Sequence, residues 1–289
     1  MTELGRPPQL GEAPALDAAS LEVLAAPINP LDRAVAAGRF YGGHPPLPYV
    51  PGCECVGREA DGRVVWSFGG GLGLGRNGTM AERAEPGAVV AEVPAGAEPG
   101  LAAALGIAGL AGWLPLAWRA PVRGDDRVLV LGATGAVGQV AVQVAKLLGA
   151  AHVVAAGRDR KGLERALELG ADEVASLEGE LGEPTYVLDL LWGEPLERAV
   201  AAAAQNARIV HVGQSAGPTA TLTSAAVRGR QLEVLGFSSF AVPADVLSEH
   251  YGRLVVHAIA GRIQLDVEEI GLDEVPESWE RRGKIVVRP

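Results

Sequence analysis

A run of apolar residues, broken by closely spaced glycines and resumed at helical spacing, constrains the fold of this chain more than any other feature. It covers residues 127–149, with the sequence RVLVLGATGAVGQVAVQVAKLLG. Residues 128–131 are apolar and β-favouring, as a buried parallel strand requires. The apolar positions that follow share one helical face: Val140, Val144, Leu147 and Leu148. The pattern predicts a strand, a tight turn and a helix.

The glycines of this turn point to a bound anion. Gly135 and Gly138 would let the backbone turn tightly, admit a pyrophosphate and bring the helix close to the sheet. Free N–H groups and the positive end of the helix dipole favour negative charge there. The predicted phosphate contacts are Thr134, Gly135, Ala136 and Val137. A tight strand-to-helix turn in any α/β protein uses glycine in the same way, so a purely structural interpretation stays open.

The residues after the next predicted strand, 152–156, indicate which dinucleotide binds. At the corresponding place, about 20 residues beyond the glycines, NAD-binding proteins carry an Asp or Glu that accepts hydrogen bonds from the adenosine ribose. This chain has a glycine and a basic cluster there: Gly157, Arg158, Arg160 and Lys161. Because these charges suit a 2′-phosphate, NADPH is the predicted cofactor. Asp159 keeps NADH as the weaker alternative, and a merely solvated helix start remains another interpretation.

Composition agrees with an enzyme of this kind and argues against other classes. The chain has 289 residues, 48% hydrophobic and 21% charged, which is enough for a large core and two domains. A formal net charge of −10 argues against nucleic acid as a partner. The two cysteines, Cys53 and Cys55, cannot make a disulfide framework, so we expect a reducing cytoplasm. No signal peptide or membrane span is expected, because no segment approaches 18 uninterrupted apolar residues.

The pattern of predicted secondary structure changes near residue 110. Up to residue 109, short strand-like runs broken by Pro and Gly predict a small β-rich domain. Residues 110–240 alternate strands with helices, which predicts a doubly wound parallel sheet. The strand candidates are residues 127–131, 152–156, 186–191, 207–212 and 231–236. Residues 241–289 contain an amphipathic helix and a terminal strand, Lys284–Arg288, which we expect to return to the first domain.

Motifs along nearly the whole chain carry a resemblance to a known family. They are INPLD (28–32), LPYVPGCE (47–54), GTMAE (78–82), the turn at 132–138, ELGADEV (168–174), RIVHVG (208–213) and GKIVVRP (283–289). In this order they resemble the medium-chain dehydrogenases/reductases, within them the zinc-free quinone oxidoreductase or zeta-crystallin-like branch. The resemblance implies an α/β fold with a Rossmann domain and a GroES-like β-rich domain formed by both chain ends. It also implies NADPH-dependent hydride transfer to quinones or other activated double bonds.

The same resemblance allows the metal-ligand positions of the zinc alcohol dehydrogenases to be compared one at a time. They fall on Asn29, Cys53 and Ile107. One sulfur cannot hold a catalytic zinc ion, which needs about three protein ligands, so neither zinc nor another metal is expected. A departure concerns the lysine that many relatives place on the 2′-phosphate, because it falls at Gly162 here.

Without metal, the chemistry must come from a few polar groups around the nicotinamide. Asn29 is the first candidate, although it equally suits a turn residue that caps the next segment. Tyr41 falls where relatives place a tyrosine that lines the substrate cleft, and there it would donate a hydrogen bond or only pack. Trp66 and Phe68 are weaker candidates for the same cleft. The predicted nicotinamide contacts follow the last two strands: Gly213, Gln214, Phe237 and Ser238.

Three functions remain after this comparison. The first is an NADPH:quinone reductase acting on a small-molecule electron acceptor. The second sends the hydride to the β-carbon of an enone, enal or enoyl thioester, and the third is an NADPH-binding protein without turnover. The histidines suggest no rival chemistry, because no nucleophile motif accompanies them. The apolar strand 231–236, at the predicted sheet edge, suggests a homodimer.

Overall fold

The computed structural model describes residues 1–17 and 19–289 of the chain. The strands are β1 (Leu21–Ile28), β2 (Glu54–Arg58), β3 (Val64–Phe68), β4 (Arg83–Ala84), β5 (Val89–Glu92), β6 (Arg127–Leu131), β7 (His152–Gly157), β8 (Glu173–Ser176), β9 (Tyr186–Asp189), β10 (Arg208–His211), β11 (Glu233–Gly236), β12 (Val267–Gly271) and β13 (Lys284–Arg288). The α-helices are α1 (Pro30–Ala36), α2 (Pro99–Ala104), α3 (Leu110–Leu114), α4 (Ala136–Leu147), α5 (Arg160–Glu168), α6 (Gly193–Ala202), α7 (Ser224–Gly229), α8 (Ala244–Ile259) and α9 (Val275–Ser278).

The chain forms two compact units. Unit 1 comprises residues 1–110, 242–260 and 265–289, and unit 2 comprises residues 111–241 and 261–264. Unit 1 therefore contains residues from both chain ends.

Unit 2 is built on a parallel sheet of six strands in the order β11-β10-β9-β6-β7-β8. The chain leaves β6 toward β7 and β8 on one side and returns to β9, β10 and β11 on the other, so the order reverses beside β6. The predicted doubly wound sheet is thereby confirmed. Its core includes Leu129, Leu131, Val187, Leu196 and Ile209.

One strand of this sheet was not predicted from the sequence. β8 has only four residues, of which Glu173 and Ser176 are exposed and Ala175 is buried. Its sequence, EVAS, has only Val174 and Ala175 as apolar residues, whereas the other edge strand, β11, lies in the more apolar run QLEVLG that predicted a strand. The predicted strands at 186–191 and 207–212 also end earlier than expected, at Asp189 and His211.

Unit 1 is built on a mixed sheet of seven strands. Six follow the order β12-β13-β1-β2-β3-β5, and β4 pairs with β1. β1 runs antiparallel to β13, with Ala26 opposite Val287, so residues from near both chain ends lie side by side. Together with the sheet of unit 2, this confirms the predicted fold class. Leu21, Ile28 and Trp279 are among the buried residues of the core.

The helical segment Pro99–Arg119 is the one stretch, among the described residues, that is long and apolar enough to cross a membrane. It has 21 residues and a mean hydropathy of 1.7, but 83% of its most apolar window is buried inside the protein. Such burial is typical of a core helix. The segment alternates α-helical and π-helical turns, with a break at Gly106 (φ −60°, ψ −112°).

Candidate functional site

The carboxyl ends of the six strands in unit 2 lie at one edge of its sheet, because all six strands are parallel. The predicted cofactor contacts follow four of these strands: residues 134–137 follow β6, Gly157 ends β7 and the basic residues follow it, Gly213 and Gln214 follow β10, and Phe237 and Ser238 follow β11. In open α/β sheets, ligands bind at this edge, where the strand order reverses. We call it the carboxyl edge of unit 2.

The glycine turn at this edge has open space beside Gly135 and close packing beside Gly138. A Cβ atom on Gly138 would lie 2.4 Å from the carbonyl oxygen of Gly132, so only glycine fits where α4 passes the turn. A Cβ atom on Gly135 would meet nothing closer than 3.7 Å, and Gly135 is exposed. α4 begins directly after Gly135 and has 12 residues. Its first N–H groups are therefore available at an open cradle suited to a phosphate.

The turn between β7 and α5 exposes its basic side chains, whereas its one carboxylate is engaged in a hydrogen bond. Arg158, Arg160 and Lys161 are all exposed. Asp159 instead caps α5, with its Oδ2 accepting a 2.7 Å hydrogen bond from the backbone N–H of Gly162. The carboxylate of Asp159, which was the reason for considering NADH, therefore caps the first turn of α5.

The absence of a lysine at position 162 has a steric reason. A Cβ atom on Gly162 would lie 2.6 Å from Cβ of Thr134, and one on Gly157 would lie 2.7 Å from Cγ2 of the same threonine. Thr134 thus occupies the space between the two turns. Any side chain at position 162 would displace it.

A histidine for which the sequence suggested no chemical role lies at the end of β10, just before two of the predicted nicotinamide contacts. His211 ends β10, and its Nδ1 lies 2.7 Å from Oδ2 of Asp189, the last residue of β9. Phe237 donates its backbone N–H to the carbonyl oxygen of His211 at 2.9 Å. Gly213, Gln214, Phe237 and Ser238 are partly or fully exposed. The pairing of Asp189 with His211 follows from the register of β9 and β10, which the sequence alone does not give.

Unit 1 contains a buried polar cluster formed by Asn29, Asp32, Cys53, Glu54 and Lys284. Asn29 is 1% exposed and hydrogen-bonds to three of the other members. Its Nδ2 donates to Oε1 of Glu54 at 2.8 Å, and its Oδ1 accepts from Nζ of Lys284 at 2.6 Å. Its backbone N–H donates to Oδ2 of Asp32 at 2.7 Å, at the start of α1. The amide that was the first catalytic candidate is therefore engaged on both its oxygen and its nitrogen inside unit 1.

Glu54 accepts hydrogen bonds from three directions and is fully buried. Besides Asn29, the indole Nε1 of Trp66 and the backbone N–H of Ile107 each donate to its Oε2 at 2.7 Å. The break at Gly106 leaves the N–H of Ile107 available for this bond. A Cβ atom on Gly106 would lie 1.9 Å from Oε2 of Glu54, so the helical segment approaches the carboxylate this closely only with glycine.

Burial controls the protonation of this cluster. It raises the pKa of Glu54, against the opposing effect of Lys284 and of the hydrogen-bond donors. It raises the pKa of Asp32 in the same way, against a hydrogen bond from the thiol of Cys53. It lowers the pKa of Lys284, while the two carboxyl groups oppose that change. Desolvation by burial also raises the pKa of the Cys53 thiol well above its ordinary value.

The remaining candidates of unit 1 lie in contrasting environments. Tyr41 follows α1 and is 87% exposed, with its ring 4.4 Å from that of Phe40. Trp66 and Phe68 belong instead to the core, with 0% and 2% exposure. Both therefore pack in the core, as aromatic residues of a strand usually do, and neither offers exposed surface to a substrate.

The three positions where zinc alcohol dehydrogenases hold their metal do not fit a metal ion here. Cys53 carries a thiol whose proton burial retains, and the amide of Asn29 accepts from the ammonium of Lys284. A cation would have to displace that ammonium, and Ile107 offers no side-chain ligand. Among residues 1–17 and 19–289, no group of three or more His, Cys, Asp or Glu side chains is placed to hold a metal.

Comparison with known proteins finds dehydrogenases and oxidoreductases that are similar to this chain. A family model described as zinc-binding dehydrogenase matches residues 136–251. A phenolphthiocerol/phthiocerol polyketide synthase protein of Mycobacterium tuberculosis is 32% identical over 221 residues, covering 68% of this chain and 10% of that protein. The quinone oxidoreductase of Lama guanicoe is 28% identical over 215 residues, covering 68% of this chain and 64% of that protein. The chain thus spans less than two thirds of either relative.

Structural comparison gives the same architecture. The crystal structure of the yhdH oxidoreductase from Salmonella enterica in complex with NADP superposes with a TM-score of 0.79, at 23% sequence identity, over 93% of this chain and 90% of that chain. That likeness concerns the fold. The family model and the curated quinone oxidoreductases, together with this fold, support the resemblance of the chain to the quinone oxidoreductase-like medium-chain dehydrogenases/reductases.

Proposed function

We propose that this protein is an NADPH-dependent oxidoreductase that transfers a hydride to a quinone or a similar activated double bond without a metal ion. The observation that carries the cofactor assignment is the β7–α5 turn. There Arg158 and Lys161 are exposed, while Asp159 is engaged as a helix cap. The quinone oxidoreductase relatives support the acceptor class.

The carboxyl edge of unit 2 suits the diphosphate of such a cofactor. The open space at Gly135 and the start of α4 offer backbone N–H groups, and the tight contact at Gly138 fixes the distance from helix to sheet. The adenosine half would then extend toward β7, where Arg158 lies after the strand end. A guanidinium can pair with a 2′-phosphate through two parallel hydrogen bonds, which a ribose hydroxyl cannot offer.

The chemistry that follows needs few groups from the protein. When bound, a reduced nicotinamide supplies the hydride directly. The protein must hold the cofactor in one orientation, exclude water and deliver one proton to the reduced acceptor. Tyr41, whose phenol is exposed, is our candidate for that proton. Asn29 is proposed to act by fixing Lys284 and Glu54, since both ends of its amide contact them.

The second candidate acceptor is a 2-enoyl compound, reduced at its β-carbon. The similarity to a polyketide synthase protein over 68% of this chain supports this second acceptor class. A panel containing small quinones and 2-enoyl thioesters separates the two, because the faster substrate at equal concentration identifies the class. If NADPH binds tightly and no acceptor in the panel is reduced, the function is nucleotide binding without turnover.

We also propose that two copies associate through β11. This strand lies at the edge of the sheet, and Val234 is 39% exposed. An open apolar edge favours pairing with a second copy. Sedimentation should give a dimer for the wild type, and a Val234→Lys variant should shift it toward the monomer. A monomeric wild type would contradict the proposal.

The cofactor assignment is tested by comparing NADPH with NADH in binding titrations. We expect the wild type to bind NADPH more tightly, and the Arg158→Ser, Lys161→Ser double variant to lose about tenfold or more of that preference. Its NADH affinity should not change. Arg165→Ser, farther along α5, is the matched control, and it should keep the preference. Equal affinity of the wild type for both nucleotides would contradict the assignment, and elemental analysis showing one bound metal ion per chain would contradict the metal-free chemistry.

A further inference from the structure

A carboxylate and an imidazole form a fixed pair at the carboxyl edge of unit 2. Asp189 and His211 are register partners at the ends of the neighbouring parallel strands β9 and β10. Asp189 is fully buried, and its Oδ2 lies 2.7 Å from Nδ1 of His211. Because an ionised carboxylate only accepts hydrogen bonds, the proton of this pair lies on Nδ1 of the ring.

The surroundings hold both partners in place. The other carboxylate oxygen, Oδ1 of Asp189, accepts the backbone N–H groups of Leu191 at 3.0 Å and Trp192 at 2.9 Å. The ring of Trp192 lies against the imidazole of His211, with centroids 4.1 Å apart. Trp192 has a φ of +59°, a left-handed conformation that is costly for a residue with a side chain. This turn therefore fixes the imidazole from two sides.

One ring nitrogen of His211 remains available. The side chain is 27% exposed, and within residues 1–17 and 19–289 only Asp189 hydrogen-bonds to the ring. Nε2 is therefore the free nitrogen. With the proton on Nδ1, a neutral ring accepts a hydrogen bond at Nε2, and an imidazolium donates one there. A hydroxyl group is a suitable partner in both states, because it donates and accepts.

The position of His211 in the sheet indicates which part of a dinucleotide it would meet. The glycine turn follows β6, and the proposed 2′-phosphate site lies on the β7 side. β10 lies two strands from β6 on the opposite side. Neighbouring strands are about 4.8 Å apart, so this displacement is about 10 Å. A dinucleotide whose diphosphate lies at the glycine turn and whose adenosine extends toward β7 has its nicotinamide half on the β9 and β10 side.

We propose that Nε2 of His211 hydrogen-bonds to a hydroxyl of the nicotinamide ribose, and that Asp189 is a positioning residue that orients the ring. This inference rests on the proposed function, since it assumes a dinucleotide at the carboxyl edge. The pair would hold the nicotinamide half while the basic turn after β7 holds the adenosine half. Discrimination between these halves provides the test.

The experiment measures the affinities of two ligands for each variant by titration. NADPH contains both halves, whereas adenosine 2′,5′-bisphosphate contains only the half that would lie toward β7. His211→Asn places an amide near the position of Nδ1 and keeps a partner for Asp189, but it reaches no farther. His211→Gln extends an amide toward the position of Nε2. His152→Gln, a surface substitution in the same unit, is the matched control.

We expect His211→Asn to weaken NADPH binding about threefold to tenfold, the size of one lost hydrogen bond. His211→Gln should restore affinity to within about twofold of the wild type, and neither variant should change the affinity for the bisphosphate. Asp189→Asn should weaken the binding of NADPH but not of the bisphosphate, because the imidazole of His211 loses the acceptor that orients it. His152→Gln should match the wild type with both ligands.

Two results would overturn this contact while the proposed function stands. One is an unchanged NADPH affinity in His211→Asn, and the other is an equal loss for both ligands, which indicates a structural role only. A wild type that binds neither ligand would overturn the proposed function and this inference together. Wild-type binding of both ligands thus separates failure of the contact from failure of the function.

Discussion

The ammonium nitrogen of Lys284 lies 2.6 Å from the amide oxygen of Asn29, so two residues 255 positions apart share a buried hydrogen bond. Lys284 begins the terminal strand β13, and Asn29 is the single residue between β1 and α1. Glu54 receives the other end of the same amide. A buried charge network of this kind costs desolvation energy and is retained where its parts compensate one another.

Loss of the ammonium should unfold the protein more easily. Lys284→Met leaves Glu54 and Asp32 buried without their counter-charge, so we expect the free energy of unfolding at neutral pH to fall by about 3–5 kcal/mol. Lys146→Met is the matched control, because Lys146 pairs with Asp172 at the surface and is 36% exposed. It should cost less than about 1 kcal/mol. Urea titrations measure both, and equal losses would contradict the account.

The protonation of Glu54 should make its contribution to stability depend on pH. Burial raises its pKa in the folded protein above the ordinary value of 4.5. Between these two pKa values the folded protein holds a proton that the unfolded chain releases, so this contribution is present at low pH and is lost as pH rises. Glu54→Gln removes it. The stability difference between wild type and variant should therefore narrow from below pH 4.5 toward neutrality.

Asp32 and Lys284 are present in both proteins of that comparison, so the difference reports the removal of Glu54 together with its coupling to Lys284. A series of urea unfolding curves at different pH values provides the measurement. A difference that stays constant or widens as pH rises would show that the folded pKa of Glu54 is not raised.

Two glycine-to-alanine substitutions in helical segments should have unequal effects on stability. Gly106→Ala would place Cβ 1.9 Å from Glu54 Oε2 and 2.3 Å from Trp66 Nε1, so we expect a loss of about 3 kcal/mol or more. Gly252→Ala in α8 meets nothing within 4 Å and should be neutral or stabilising by up to about 1 kcal/mol. Thermal unfolding monitored by circular dichroism compares them. Similar melting temperatures would contradict the close approach at Gly106.

A second pair of glycines should separate binding from folding at the proposed phosphate cradle. Gly135→Ala has space for its Cβ and an ordinary extended backbone, so it should fold normally. Its methyl group would project into the cradle, and we expect NADPH affinity to fall about tenfold or more. Gly138→Ala, with Cβ 2.4 Å from the Gly132 carbonyl oxygen, should instead lose about 2 kcal/mol of stability. If Gly135→Ala bound NADPH as tightly as wild type, the phosphate would not lie there.

The sequence was informative where structure depends on near neighbours. The strand, turn and helix at residues 127–149 were predictable because apolar spacing and glycines act over a few residues. The terminal strand Lys284–Arg288 was predicted with the bounds that the structure has. β8 was missed because its four residues include only Val174 and Ala175 as apolar side chains, which leaves almost no pattern.

The contacts of the candidate site were less predictable, since they join distant parts of the chain. Nothing near Asn29 in sequence indicates Lys284 or Glu54 as its partners. His211 was interpreted as an ordinary strand histidine because its pairing with Asp189 depends on strand register. Only the folded chain brings these side chains together, and local patterns do not report on them.

The central claim is tested most directly by following NADPH consumption with a small quinone as acceptor. The protein at catalytic concentration should oxidise NADPH with saturation in both substrates, and faster than NADH at equal concentration. The rate should survive dialysis against a chelator, because no metal takes part. Absence of protein-dependent NADPH oxidation across a panel of quinones and 2-enoyl compounds would contradict the claim.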